Sequence, residues 1–594
     1  FGSSFWFQRA CFPIFHHWSC GMTAVSTEDL AHTPAERAAA AAARTASTAP
    51  GPAAAEASKQ AEAELFADAE EIKLGECGGD IVVIGAGLVG ALCAVVLLRK
   101  GFRVHLFERY SDIRSIPSVG RSINLSVTSR GLRAIRALGG TLHDEMMEMA
   151  TRITGRIIHM RDGKAMFQRY GKDDSECNYS ISRIDLNKFL LNAASEAGVK
   201  IYFNHALSET SDFSGSDAVG CTLHFAKGHA SAPESRVRIR CYCPVIACDG
   251  AGSRVRYALR QAGLTSFTED VLPRGYKEVL FPRPAEGRDF GATGEGGGEA
   301  CEGHKGLHIW PRGDHMLMAL ANRDGSFTGT IYMDNKGPED SFEAFTNDEE
   351  GRKRCAAFCE RYYADAVEHI GGMGEMVRQI TTNPVGILGT VHASVWAVKG
   401  KVVLIGDACH AMVPFFGQGC NCGFEDTLWL SRFLDQFCGD GSGACLPERC
   451  TGENFATCFA ALEQERKPNA DAICDMALEN FVEMRDRTGD VRFQAMKRLE
   501  NKLENLFADK FRSRYAMVCY GGEGNVSYAN AKDLGAVQNG ILERLCANMG
   551  DLGTEELQKA EVDRIDTAEA SRLIDDILVP ELERLRIDLS TVKH

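Results

Sequence analysis

Apolar positions in this chain fall into two periods, and the switch between them outlines the fold. Asp80-Ile-Val-Val-Ile84 is a β-branched run that ends at Gly85-Ala86-Gly87-Leu88-Val89-Gly90. An apolar helical stretch follows to Leu98 and stops at Arg99-Lys100-Gly101. A second short run then ends at Phe107-Glu108. The pattern predicts strand, glycine turn, helix, strand. From Ile81 to Leu98 about eighteen residues carry no charge, but the three glycines and the β-branched start favour a strand and helix over a membrane span. Helical spacing returns at Ser129 to Leu138 and Ile184 to Ala197. Strand-like runs alternate with polar turns at 156–159, 200–203 and 221–225, and again at 307–310, 316–320 and 327–333. Short buried-strand runs recur at Val245-Ile-Ala247 and at 401–405. From about Phe424 the period is mainly helical.

This order predicts an α/β protein with one Rossmann-like domain assembled from separated pieces, over 79–425. A β-rich domain is inserted in it, at about 150–240 and 265–395. Residues 426–525 are expected to be a helical segment that closes the site, and 526–594 a polar helical tail. Leu573, Ile574, Leu578, Leu582 and Leu585 put an apolar stripe on that tail, suited to packing on the protein's own body. Residues 1–78 are alanine-rich and read as a mostly disordered extension, with an acidic part near 62–76 that leans helical. The glycine-rich stretch 287–306 reads as a flexible insertion outside any core.

Composition narrows the partners. The 594 residues are 44% hydrophobic and 25% charged, which suits a folded protein of more than one domain. A net charge of −15 argues against nucleic acid or an anionic membrane as the main partner. The 22 cysteines are scattered without a CxxC pair, so they read as free thiols and no metal is expected. The tail after Tyr520 is polar, and no transmembrane anchor is visible in it.

The glycine turn carries the first chemistry. Gly85 permits the tight turn, Gly87 lets backbone approach a pyrophosphate, and Gly90 lets the helix pack close to the strand. Glu108, about twenty residues on, suits a ribose. A second signature, Asp249-Gly250-Ala251-Gly252, sits at the carboxyl end of its strand, where nucleotides bind in such sheets. The third is Gly406-Asp407-Ala408-Cys409-His410, followed by Pro414-Phe415-Phe416-Gly417-Gln418-Gly419-Cys420-Asn421. Asp407 can bind a ribose or ribityl hydroxyl, and a helix starting near Asn421 can turn its N-terminus to the electron-accepting end of a flavin. His410 taken alone reads as structural.

The three signatures in this order resemble the single-component FAD-dependent aromatic hydroxylases. Within them, 120–125, 156–159, 307–312, 414–419 and Asn480-Phe-Val-Glu-Met-Arg485 resemble the kynurenine 3-monooxygenases, over about Asp80 to Tyr520. The resemblance implies FAD as cofactor, with NADPH, O2 and L-kynurenine as the small-molecule partners and 3-hydroxykynurenine as product. It implies Arg156, Tyr170, Asn480 and Tyr515 as substrate ligands. A guanidinium fork suits the amino-acid carboxylate, and tyrosine and amide groups fix its orientation. It also implies flavin contacts at Val89, Phe107, Glu108, Arg109, Ser126, Arg183, Leu207, Asp407, Gly419, Cys420 and Asn421. These join Gly85, Gly87, Gly90, Asp249 and Gly250. Phe415 and Phe416 are expected to wall the flavin. No general base stands out. Animal members end in a membrane anchor; the polar tail here points instead to the cytoplasm, with the outer mitochondrial membrane as the alternative. A homodimer is possible.

Overall fold

The computed structural model describes residues 23–24, 66, 69–76, 78–115, 123–229, 232–285, 290–293, 300–337, 339–484, 490–522 and 526–592. Its nucleotide-type sheet runs in the order Lys200–Tyr202, Arg103–Phe107, Asp80–Ile84, Val245–Ala247, Val402–Leu404, Ala397–Val398. All neighbours pair in parallel except the last two strands. The three strands that lead into the glycine and aspartate signatures are thus adjacent, although more than 150 residues separate each from the next along the chain. Their residues Ile81, Val82, Val83, Val245, Ile246, Val402 and Val403 are fully buried, because helices led by Leu88–Arg99 cover one face of the sheet, and the strands Cys221–His229 and Ala232–Cys241 with the helix Arg254–Gln261 cover the other.

A larger, mainly antiparallel sheet forms the second layer. Its path is Phe267–Phe281, Phe327–Asp334, Met316–Ala321, Gly306–Pro311, Gly155–His159, Ala165–Arg169, and Gly386–Ala393 also pairs with Phe267–Phe281. Two helices, Glu349–Ile370 and Met373–Thr382, cover its outer face. They lie inside the 265–395 stretch expected to be β-rich. The reason is that the sheet buries both faces: one face lines the cavity described below, and the other needs an apolar cover. A small sheet of Asn124–Val127, Asn178–Ser182 and Thr151–Ile153 bridges the two layers.

Three expectations are corrected. Residues 70–74, inside the acidic stretch that leans helical, form a strand parallel to Ala232–Cys241. Ile72 and Leu74 turn inward while Glu71 and Lys73 stay exposed, a period of two that only a strand satisfies. Thr23–Ala24 also pairs, with Asp270 and Val271; the rest of the proposed extension lies almost entirely outside the described residues. The glycine-rich stretch enters the core at Phe290, whose ring lies 4.3 Å from His308 and 4.4 Å from His369. Ala292–Thr293 pairs with Ala300–Cys301 beside it. One aromatic residue among glycines carries enough apolar area to anchor a segment.

After the dinucleotide pieces come helices Gly419–Cys438, Gly452–Val482, Val491–Leu506 and Arg514–Tyr520. The tail folds back as Tyr528–Leu545, Glu555–Asp563 and a run from Thr567 to Leu585. Leu573, Ile574, Leu578 and Leu582 are buried in the main core. Among the described residues no helix is long and apolar enough to cross a membrane, and the cysteines there are free.

Candidate functional site

The glycine turn is built as its spacing requires. Gly85 has φ +95° and donates its N–H to the Phe107 carbonyl at 2.8 Å. A Cβ on Gly85 would lie 2.5 Å from the Cys248 carbonyl oxygen, and one on Gly90 would run into the Gly85 carbonyl. A Cβ on Gly87 would meet nothing within 4 Å, so the space above this turn is open. The helix Leu88–Arg99 starts there with no side chain capping it, leaving backbone N–H groups to face that space. Glu108 closes the unit by accepting from Ala86 N at 2.7 Å and Tyr110 N at 3.0 Å.

A cavity of about 410 Å³ opens from this turn and runs between the two sheets. Gly87, Val89, Ser126, Arg183, Gly250, Asp407, Gly419 and Cys420 stand on its wall. Neither the Asp407 carboxylate nor the Arg183 guanidinium has a hydrogen bond or ion pair to described protein atoms. Two charged groups facing one cavity without protein partners are ligand-binding groups by their chemistry. The helix Gly419–Cys438 also begins without a side-chain cap, and Gly419 and Cys420 bring its N-terminus to the wall. An open glycine cradle, two uncapped helix starts, and hydrogen-bonding groups along an elongated cavity fit FAD.

Other expected contacts have different neighbours. Asp249 accepts from Ser253 Oγ at 2.6 Å and Val255 N at 3.2 Å, so it shapes its own loop, while Gly250 reaches the wall. Burial pushes the Asp249 carboxyl upward. Asn421 donates to the Ser126 and Gly417 carbonyls and accepts from Thr128 N at 2.9 Å, clamping the strand that carries Ser126. The Phe107 ring is in the core, stacked 4.6 Å from Tyr202 and 4.7 Å from Phe225. Leu207 is buried in the same cluster. Arg109 is exposed over the Tyr110 ring.

A buried charge network holds the Gly406–Asp407 corner. Asp426 accepts from Gly406 N at 2.9 Å and pairs with His410 Nε2 at 2.6 Å and Arg466 Nε at 2.9 Å. Glu425 pairs with Arg130 and Arg466. His410, Cys422 and Asp426 come together as a metal site would, but Arg466 contacts Asp426 and Cys422 and supplies the cation. Arg256 ties the second and third signatures by donating to the Ala408 carbonyl at 2.7 Å, and it pairs with Glu269 on the cavity wall.

The far end of the cavity has a different character. Arg156 stands on the wall beside Tyr170 and Tyr515, its guanidinium 5.7 Å and 5.2 Å from their ring centroids. The two rings stack 4.8 Å apart. Arg156 Nε is buried with no hydrogen-bond partner. Burial opposes its charge, but Tyr170, Tyr515 and Glu483 outweigh that and raise its pKa. A half-buried, charged fork with an unsatisfied Nε is suited to a carboxylate. Asn480 does not reach the wall; its amide donates to the Phe415 carbonyl at 2.6 Å and so holds the Pro414–Phe416 turn. Phe415, Phe416 and Met484 are on the wall. Tyr276, Thr330 and Tyr332 join them from the large sheet. No motif marks these three residues. Alternation tells which residues share a face of a strand but not what that face abuts. Arg485 lies outside the described residues.

Comparison with known proteins shows the family and the fold. The family described as FAD binding domain matches residues 79–290 and 300–446. The chain is 39% identical to kynurenine 3-monooxygenase of Myxococcus xanthus, over 84% of this chain and 96% of that one. It is 36% identical to the Flavobacterium johnsoniae enzyme of the same name, over 78% and 93%. Among solved structures it resembles P. aeruginosa PqsL in complex with 2-aminobenzoylacetate, at 18% identity and a TM-score of 0.50, covering 69% of this chain and 97% of that one. It resembles CtdE in complex with FAD at 15% identity and a TM-score of 0.50, covering 68% and 94%. At these identities the two structures establish the fold.

Proposed function

The chain belongs to the kynurenine 3-monooxygenase family of FAD-dependent hydroxylases, and from that premise we propose how its cavity carries out the reaction. The protein hydroxylates L-kynurenine at the ring carbon next to the amino group, consuming NADPH and O2. When bound in this cavity, FAD would supply the redox chemistry that links NADPH oxidation to oxygen transfer.

The residues that would hold FAD follow the cavity from one end. Backbone N–H groups at Gly87–Val89 would hold the pyrophosphate, and Glu108 would take a ribose with its remaining acceptor sites. Asp407 and Arg183 take polar groups nearer the ring system. The uncapped N-terminus of Gly419–Cys438 on the cavity wall would favour the negative charge that a bound flavin gains on reduction, by about 0.3–1 kcal/mol.

Substrate binding rests on one observation. The cavity ends in a guanidinium whose Nε is buried and unsatisfied, beside two stacked tyrosines. Arg156 donates to the carboxylate of the amino-acid tail, with Tyr170 and Tyr515 beside it. The aniline ring then points back along the cavity toward the flavin end. Phe415, Phe416 and Met484 exclude water from that stretch. The wall supplies orientation and dryness. An electron-rich ring ortho to an amino group needs no strong base to react. Asn480 supports the site by fixing the Pro414–Phe416 turn.

The test compares L-kynurenine with 2-aminoacetophenone, which keeps the ring, ketone and amine but lacks the amino-acid carboxylate. L-Kynurenine should stimulate NADPH oxidation by the FAD-loaded protein at far lower concentration than the analogue. Arg156→Met should abolish the preference. Equal stimulation by both compounds would refute the assignment of this end of the cavity.

A further inference from the structure

Behind the stacked tyrosines lies an amide that the sequence does not single out. Asn178 opens the strand Asn178–Ser182 and is 2% exposed. Its Nδ2 donates to the Tyr515 hydroxyl oxygen at 2.8 Å, and its Oδ1 accepts from the Tyr520 hydroxyl at 3.2 Å. Both tyrosines belong to the helix Arg514–Tyr520, capped by Ser513. That helix is fixed to the same stretch of chain a second time. Arg512, just before the cap, pairs with Glu176 at 2.6 Å, and Glu176 accepts from Lys172 N beside Tyr170-Gly171. The strand around Asn178 is itself held between Asn124–Val127 and Thr151–Ile153. Amide and hydroxyls are therefore all set on rigid elements.

The consequence concerns one proton. A phenol oxygen that accepts a hydrogen bond keeps its own O–H free to donate elsewhere. An asparagine whose oxygen is occupied by a second donor presents its NH2 group to the first tyrosine. With Asn178 in this orientation, the Tyr515 proton is donated away from Asn178, to Tyr170 or Cys519 in the free protein, and can pass to a carboxylate held at Arg156, whose guanidinium lies 5.2 Å from the Tyr515 ring. We propose that Asn178 is a positioning residue for substrate: clamped by Tyr520, it holds Tyr515 as an obligatory hydrogen-bond donor toward the carboxylate that Arg156 binds. The inference rests on the reading of Arg156 and Tyr515 as carboxylate ligands. A donor aimed at an anion strengthens binding where an acceptor would repel it. Tyr515 can act as either, and Asn178 settles which. The residue touches neither substrate nor flavin, so its influence passes wholly through Tyr515.

A double-mutant cycle tests this, with L-kynurenine binding to the FAD-loaded protein measured by titration calorimetry. Removing a hydrogen bond to a charged group weakens binding by about tenfold or more, so Asn178→Leu should raise the L-kynurenine Kd about tenfold. In a Tyr515→Phe background the same change should add nothing, because there is no proton left to direct. Binding of 2-aminoacetophenone should be unaffected in every variant, and FAD content should stay at the wild-type level. Tyr520→Phe releases the clamp with a smaller packing change. It should raise the Kd about threefold, again only when Tyr515 is present, and it carries the test if Asn178→Leu fails to fold. Equal losses in both backgrounds, or an equal loss for the analogue, would reduce Asn178 to a core residue and overturn the proposal. If Tyr515→Phe alone leaves the Kd unchanged while L-kynurenine is still hydroxylated, the substrate-site reading fails first, and this inference falls with it by a separable result.

Discussion

Replacing Arg156 by methionine should separate affinity from stability. In the free protein the guanidinium stands in a cavity wall with its Nε unbonded, beside two tyrosine rings and in the field of Glu483. Burying an under-satisfied charge costs folding free energy. Methionine keeps the apolar stem and removes that cost, so the variant should melt no lower than wild type. Binding is different. Truncating one partner of a buried, hydrogen-bonded charge pair costs about 2–5 kcal/mol. At about 1.4 kcal/mol per factor of ten, the L-kynurenine Kd should rise roughly 30-fold to a few thousand-fold. Flavin should be retained, because Arg156 is on the strand Gly155–His159 and the cradle is on Asp80–Gly90. The assay pairs calorimetric titration with thermal melting and the flavin absorbance of the purified variant. An unchanged Kd would refute the carboxylate assignment. A large loss of melting temperature with a modest change in Kd would show instead that Arg156 is a structural cation.

Three further expectations follow from the geometry. Asp407→Ala should lower the FAD content of the purified protein, measured as the ratio of flavin to protein absorbance, since this carboxylate faces the cavity without a protein partner; full occupancy would exclude its role. Arg512→Met leaves Glu176 and Glu504 buried without their shared cation, so it should destabilise by about 3–5 kcal/mol in denaturant unfolding, whereas a surface-like effect below ~1 kcal/mol would contradict the pairing. Glu504 is buried next to Glu176 and Glu500, and its pKa is raised to about 7, with burial the main cause and Arg512 opposing. Its folded pKa is above the ordinary 4.5, so the folded state holds the proton more tightly. The stability this contributes is present at low pH, declines as pH rises through 4.5 and is lost above about 7. At about 1.4 kcal/mol per pKa unit the span is on the order of 3 kcal/mol. Glu504→Gln should flatten the melting temperature between those limits, and an unaltered slope would assign the pH dependence to other groups.

Much of the fold can be read from local chemistry in the chain. The glycine turn at Gly85–Gly90 is recognisable because Gly85 and Gly90 answer backbone demands that no other residue meets, while the bare backbone at Gly87 leaves open space for a ligand. The adjacency of the strands at 80–84, 245–247 and 402–404 follows from three signatures that only make sense on one sheet edge. Other features depend on tertiary partners. The helices Glu349–Ile370 and Met373–Thr382 cover a sheet face whose need for cover is invisible before the sheet is assembled. Phe107 and Leu207 sit beside nucleotide-type positions in sequence, yet strand alternation and packing send their side chains into the core. Asn421 and Asn480 are amides near the cavity, and both spend hydrogen bonds on backbone carbonyls of the loops that form it. Sequence spacing locates such residues to within a few ångströms of a site but not the direction in which they point. Asn178 is the converse case: it carries no motif, and its place behind Tyr515 exists only because the helix Arg514–Tyr520 packs against its strand.

The most direct test of the account is oxygen transfer itself. FAD-loaded protein would be incubated with NADPH and L-kynurenine under 18O2, and the product analysed by mass spectrometry. A hydroxylated kynurenine carrying one atom of heavy oxygen is the predicted result. NADPH consumption with unlabelled, unmodified kynurenine would contradict it, because the cavity would then bind the substrate without delivering its ring to the activated oxygen.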